Sequence, residues 1–413
     1  MTLVTPGTRF IRRSRSAFLN GWLIFPDETA DAVAMSARHR RPFVAALVAV
    51  SVCFAVDAAR AAGMPDSVAV PLKIVPLDGG GSKIGIEIAL GGGPKRLYEF
   101  DTGASGFYAA GNDDWWPSYE PLPDGKIEQN YASGVTYVAD RVRTKVVIPS
   151  DHGDIEAELD VARISDGYGG PLGPKDDSTW NADVAEGKPP LYRAFFGDFG
   201  GDLRFKDGLA SLLPQLPGNL SSGFIVELGC DRRSGPRLVL GLTDASRARF
   251  PTKVAMQPGN DDVFPVSGLP TYAQALLSVD FELSRRGVVQ SFASDALLDT
   301  GAPTTTIRES DDLKIDPALV DRSDGILEPA TYVSVFAEGV AKGDFALDFL
   351  AGVQPGRDQV NVERDGNGEV NLGLIPFFRY DVMFDVENGV VGFAPCRNGG
   401  SRRRLPVIER RPD

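Results

Sequence analysis

The tetrad Asp101-Thr102-Gly103-Ala104 returns in the second half of the chain as Asp299-Thr300-Gly301-Ala302. Each copy closes an apolar run, Leu97-Tyr98-Glu99-Phe100 before the first and Ala296-Leu297-Leu298 before the second. That is the pattern of a buried strand delivering one carboxylate into a tight turn. A single Asp-Thr-Gly is an ordinary turn, because Asp and Gly are common turn residues. Two copies, each at the end of an apolar strand, imply two related β halves that bring one Asp each to a common site.

Two aspartates brought into contact cannot both ionise cheaply, so they share a proton: one serves as general base toward a water, the other as general acid toward a carbonyl. A small hydroxyl after each Asp can bond neighbouring backbone, and a glycine lets the two loops approach with no Cβ between them. On these residues the chain resembles the pepsin-like aspartic proteases. The resemblance implies an all-β, bilobal, pepsin-like acid protease fold, two barrel-like lobes around a central cleft, with Asp101 and Asp299 catalytic. It also implies that Thr102, Gly103, Thr300 and Gly301 shape the substrate-binding floor, and that no cofactor or metal takes part.

The resemblance extends along most of residues 66–396. Asn130 to Tyr137 followed by Arg141 to Ile148 reads as a hairpin, and in the family a hairpin here is the flap over the substrate, with a tyrosine near its tip; Tyr131 matches that position. Asn371 to Asp385 and Val391 to Pro395 are similar to the family's closing segment, in which an apolar-apolar-Gly loop supports the catalytic strand; Asn371 departs from the first apolar position. Residues 207–216, read as a short helix, lead to Gly223 to Cys230 and then Arg237 to Gly241, a succession similar to the end of the first lobe in the plant branch that includes nepenthesins and xylanase-inhibitor proteins. That branch places a cysteine at both Cys230 and Cys396. The count alone, two cysteines besides Cys53, suits either one disulfide or two buried thiols.

The start of the chain reads as a targeting segment. Met35, then Arg38, Arg40 and Arg41, the apolar run Phe43 to Val56 and Ala59-Arg60-Ala61 have the order of a cleaved signal peptide, and the run is too short to span a membrane. Residues 1–34 then read as an upstream start, 35–61 as the signal, 62–245 as a first lobe, 246–396 as a second, and 397–413 as a basic disordered tail. The mature chain is expected to be a periplasmic or secreted monomer without an integral membrane segment. The stretch between Ala61 and Asp101 is used up by hairpins, so no pro-segment is expected to need removal.

Composition excludes several chemistries. The net charge of the 413 residues is −13, and since residues 1–61 carry eight arginines against four acids, the rest is more acidic still, which argues against nucleic acid as a partner. Only His39 and His152 exist, and His152 sits in a polar turn, so a Ser-His-Asp triad or a His-rich zinc site has little to build on. The 46 glycines and 30 prolines call for many turns and hence β structure. The glycine-rich turns have no Gly-Lys-Ser/Thr ending, which rejects a phosphate loop. Glu363 to Leu374 imitates a calcium loop but lacks its twelfth-position acid. Trp115 and Trp116 are expected to pack in the core, and residues 166–200 to form a long surface loop.

The expected function is an exported endopeptidase acting on a peptide or protein. The rival is a catalytically silent binding protein on the same scaffold; a paired-carboxylate glycosidase is weaker, because nothing would explain two acids in one repeated tetrad. In pepsin relatives a Ser or Thr usually follows Asp-Thr-Gly and bonds the charged carboxylate; here Ala104 and Ala302 do not, so activity is expected in mildly acidic solution, about pH 4–6.

Overall fold

The computed structural model describes residues 65–396 except 79, 231–234, 322, 338–345, 355 and 365, and omits the side chains of 124, 261 and 262. The expectations for residues 1–34, for the signal at 35–61 and for the tail at 397–413 lie outside the described residues. Among the described residues the chain is all-β, with two large sheets of 13 and 9 strands.

Period-2 alternation builds the first sheet. Strands Val68–Pro76, Ser82–Leu90 and Arg96–Asp101 form an antiparallel meander in which Ile84, Ile86 and Ile88 are wholly buried. The meander ends on Asp101. Its last strand lies parallel to the short strand Gly197–Gly200, with Phe100 opposite Phe199, and the antiparallel strand Phe107–Ala110 flanks that short strand. Phe100, Phe107 and Phe199 pack ring against ring beneath the motif, which fixes the direction in which the turn leaves the sheet.

The second sheet repeats the device. Leu277–Arg285 and Val288–Leu297 form a long hairpin, turned at Arg286 and Gly287 in left-handed conformation. The end of the second strand runs parallel to Val370–Asn371, with Leu297 opposite Asn371. Both aspartate-bearing strands are thus flanked by a short parallel strand from much later in the chain.

The expected lobe boundary at 245/246 falls within a short helix, Asp244–Arg247, capped by Thr243 and Ser246. Beyond it, Thr252–Ala255, Tyr380–Asp385 and Val390–Pro395 join the first sheet beside Phe224–Glu227, so that sheet draws strands from both halves.

Three local expectations are corrected. Residues 166–200 are not a surface loop: the strand Ile155–Tyr168, the helix Trp180–Ala185 and the strand Gly197–Gly200 lie there, with Trp180 fully buried. A stretch rich in glycine and proline reads as a loop, but here glycine permits close packing: a Cβ on Gly167 would strike the Trp180 ring. Residues 207–216 hold no α-helix but a two-residue strand, Leu209–Ala210, and a 3-10 turn, Leu213–Gln215. The hairpin strands are Glu120–Asn130 and Thr136–Ile148, so 130–137 contains the turn itself, with Tyr131 at its first residue. Trp115 and Trp116 pack in the core as expected.

Cys230 and Cys396 are joined by a disulfide across 166 positions, tying the end of the Phe224–Glu227 region to the end of the last strand. Replacing both by serine should cost about 2–4 kcal/mol of stability, read as a lower denaturant midpoint. Equal midpoints with and without reductant would contradict this.

Candidate active site

The two Asp-Thr-Gly turns hold each other. The backbone N–H of Thr102 donates to Oγ1 of Thr300 and that of Thr300 donates to Oγ1 of Thr102, both at 3.0 Å. Each hydroxyl then donates onward, Thr102 to the Leu298 carbonyl at 2.7 Å and Thr300 to the Phe100 carbonyl at 2.6 Å. Four bonds among groups shielded from water lock one turn against the other. Both threonines are buried and fully engaged in this lock, so the expectation that they contact substrate is corrected: they position the aspartates. Gly103 and Gly301 do line the cleft.

The glycines are required by the partner's carboxylate. A Cβ on Gly103 would lie 2.6 Å from Cγ of Asp299, and one on Gly301 would overlap the Asp101 carboxylate. Asp101 and Asp299 therefore meet across the junction within hydrogen-bonding reach. The N–H of Gly103 donates to Asp101 Oδ1 at 2.7 Å; Asp299 Oδ1 accepts from Gly301 N at 2.7 Å and Ala302 N at 3.1 Å. The cleft above them has a volume of about 990 Å³ and takes walls from both sheets.

Burial pushes the Asp101 carboxyl well above the usual carboxylate range, and the charges of Asp299, Asp198 and Glu99 push it further. Asp299 has a second support: Asn371 donates its amide to Oδ2, while the Asn371 carbonyl accepts from Gly373 N at 2.9 Å. The residue that departs from the apolar pattern thus supplies the side-chain donor that Ala302 lacks. The absence of a hydroxyl after the motif is made good at Asp299, while the side chain at Ala104 offers Asp101 nothing comparable.

Each turn is also braced by a side chain from the opposite half. Gln274 donates to the Gly103 carbonyl at 2.7 Å, and Arg204 holds Gln274 at 2.9 Å. On the other side Lys83 donates to the Gly301 carbonyl and pairs with Glu99. Lys83 and Glu99 are both buried, and the ring of Tyr192 covers the ammonium at 4.9 Å from its centroid. Tyr192 and Arg193 adopt the left-handed conformation that non-glycine residues avoid, an outlay that sets the Tyr192 ring on this cation. Burial works to lower the Lys83 pKa, but Glu99, Tyr192 and Asp101 outweigh it and the ammonium stays charged; burial likewise raises Glu99, against the pull of Lys83.

Tyr131 enters the cleft from the hairpin turn, its ring edge-on to Tyr137 at 5.4 Å. Beneath it lies Asp198, from the short strand Gly197–Gly200. By register Asp198 is to Glu99 what Asn371 is to Leu297, the residue beside the position two before the aspartate. Lys83, Glu99, Asp198 and Asn371 were not singled out as site residues from the sequence, although Glu99 breaks an apolar run that ends on the motif.

The buried carboxyls make stability depend on pH in a defined sense. Burial raises Asp101, Glu99 and Asp198 in the folded state, whereas unfolded they titrate near 4 as ordinary carboxyls. Above that value the folded chain binds more protons than the unfolded one, so this contribution is present below about pH 4 and is lost as pH rises through the raised values. The melting temperature should fall between about pH 5 and pH 8, and Asp198→Asn should flatten the decline. A melting temperature that climbs over this interval would contradict the assignment.

Two sheets that each deliver an Asp-Thr-Gly turn to one cleft define a carboxyl-dyad site on a two-sheet, all-β scaffold. No protein-family model and no curated sequence matches the chain. Among solved structures it is similar to an aspartic proteinase from Irpex lacteus, at 14% identity, covering 80% of this chain and 98% of that one, with a TM-score of 0.49.

Proposed function

We propose that the chain is an exported aspartic endopeptidase of the pepsin type, working as a monomer in the periplasm or outside the cell, with 62–245 and 246–396 as its two lobes. The carrying observation is the dyad itself: two carboxyls in contact, on turns locked by reciprocal threonine bonds, at the floor of an open cleft.

The surroundings divide the roles. Asp299 accepts three N–H bonds, which suit a carboxylate, while burial and neighbouring charge favour the protonated form of Asp101. A water between them gives a proton to Asp299 as its oxygen bonds the peptide carbonyl carbon, and Asp101 gives its proton to the carbonyl oxygen. In the second step the amide nitrogen takes the proton from Asp299, the C–N bond breaks, and Asp101 recovers its proton from the diol, leaving a carboxylic acid and an amine. Tyr131 on the hairpin would close over the bound peptide.

Purified protein should cleave a peptide library, and a transition-state mimic with a central hydroxyl, such as pepstatin, should block it. Tight peptide binding without new termini would identify a binding protein on this scaffold; cleavage indifferent to the mimic would point to another site.

A further inference from the structure

The hydrolytic scheme leaves Asp198 unused. It is 3% exposed and forms part of the cleft wall, and neither carboxylate oxygen has a hydrogen-bond partner. Burial and the charge of Glu99 raise its pKa, and the Tyr131 phenol is near enough to draw it back, yet the phenol oxygen also completes no bond of ordinary geometry. At most the phenol leans on the carboxylate, and a neutral phenol cannot balance a charge.

The cations around it are already engaged. Lys83 is matched by Glu99, and Arg204 by Asp202. Four carboxyls, Glu99, Asp101, Asp198 and Asp299, are served by the one ammonium of Lys83, so burial and mutual repulsion favour the protonated form of Asp198 until a cation is brought beside it. A buried carboxylate without a cation is costly. The pocket beside it offers what a cationic side chain needs: the Tyr131 and Tyr192 rings can hold an aliphatic stem and face its charged head. In register Asp198 lies beside the residue two before Asp101, about 7 Å along the strand from the dyad, the reach of an extended lysine from a peptide bond held there.

We propose that Asp198 makes this pocket a recognition site for a lysine or arginine side chain of the peptide, at a residue next to the bond that is cut. The inference rests on the endopeptidase reading for its substrate, and its test separates the two. Peptides identical except for lysine, arginine, norleucine or glutamate at each position flanking the cut are compared by kcat/KM. In parallel, calorimetry measures binding of uncleavable hydroxyl-bearing versions. Lysine and arginine should exceed norleucine by about 30-fold or more at one position. Asp198→Asn should reduce the ratio to a few-fold, and Asp198→Glu should keep most of it, with folding of each variant checked by its melting curve. A lysine preference in binding with no cleavage would defeat the endopeptidase reading and uphold the role of Asp198. Cleavage without a cationic preference, or a preference that survives in Asp198→Asn, would overturn the role of Asp198 and leave the endopeptidase reading intact.

Discussion

Asp101→Asn and Asp299→Asn should each lower kcat for peptide cleavage by about 10⁴-fold or more, because each carboxyl both gives and takes a proton in the cycle and neither can stand in for the other. Asparagine has nearly the shape of aspartate, so the threonine lock, which uses no carboxylate atom, should survive and the melting temperature should change little. The two variants differ in one respect. Asp101→Asn removes the group that burial keeps protonated, whereas Asp299→Asn places an amide where Asn371, Gly301 and Ala302 all present donors. Asp299→Asn should therefore be the less stable of the two. Either variant within tenfold of the parent activity would remove the dyad from the chemistry.

Lys83→Met should be the most destabilising single change at the site. It leaves Glu99 charged and buried without its cation and strips the brace from the Gly301 carbonyl, a loss of about 3–5 kcal/mol for a broken buried pair. Adding Glu99→Leu removes the orphaned charge, and an apolar replacement of the whole pair should recover most of that stability. Activity should not recover in step, since the Gly301 turn stays unbraced beside Asp101. Denaturant midpoints and kcat for the single and double variants separate these effects. Equal stability of single and double variants would show that Glu99 is not held as a carboxylate by Lys83.

The parts of the fold that were legible share a physical basis. The tetrad after an apolar run has one local solution, a strand that ends by presenting an aspartate, and the alternation of Ile84, Ile86 and Ile88 has another, the buried strand beside it. The cysteine pairing followed from resemblance, since counting left it open. What escaped depends on partners distant in sequence. Gly197-Asp198-Phe199-Gly200 has too few residues to show a period, and it becomes a strand only because Arg96–Asp101 and Phe107–Ala110 supply its hydrogen bonds. Asn371 reads as a flaw in an apolar run until the Asp299 carboxylate beside it is known, and Glu99 as a break in another until Lys83, on the neighbouring strand, is known to pair with it. The threonine hydroxyls could be assigned to backbone bonding but not to the opposite turn, because the motif alone does not say which backbone.

The pH dependence of kcat/KM for a cleaved peptide tests the dyad most directly. The account predicts a bell, with an ascending limb as the pair loses its first proton and a descending limb as Asp101 loses the proton that burial helps it keep, and with a maximum near pH 4–6. No cleavage by folded protein anywhere between about pH 3 and pH 8, or a rate without a descending limb, would contradict it.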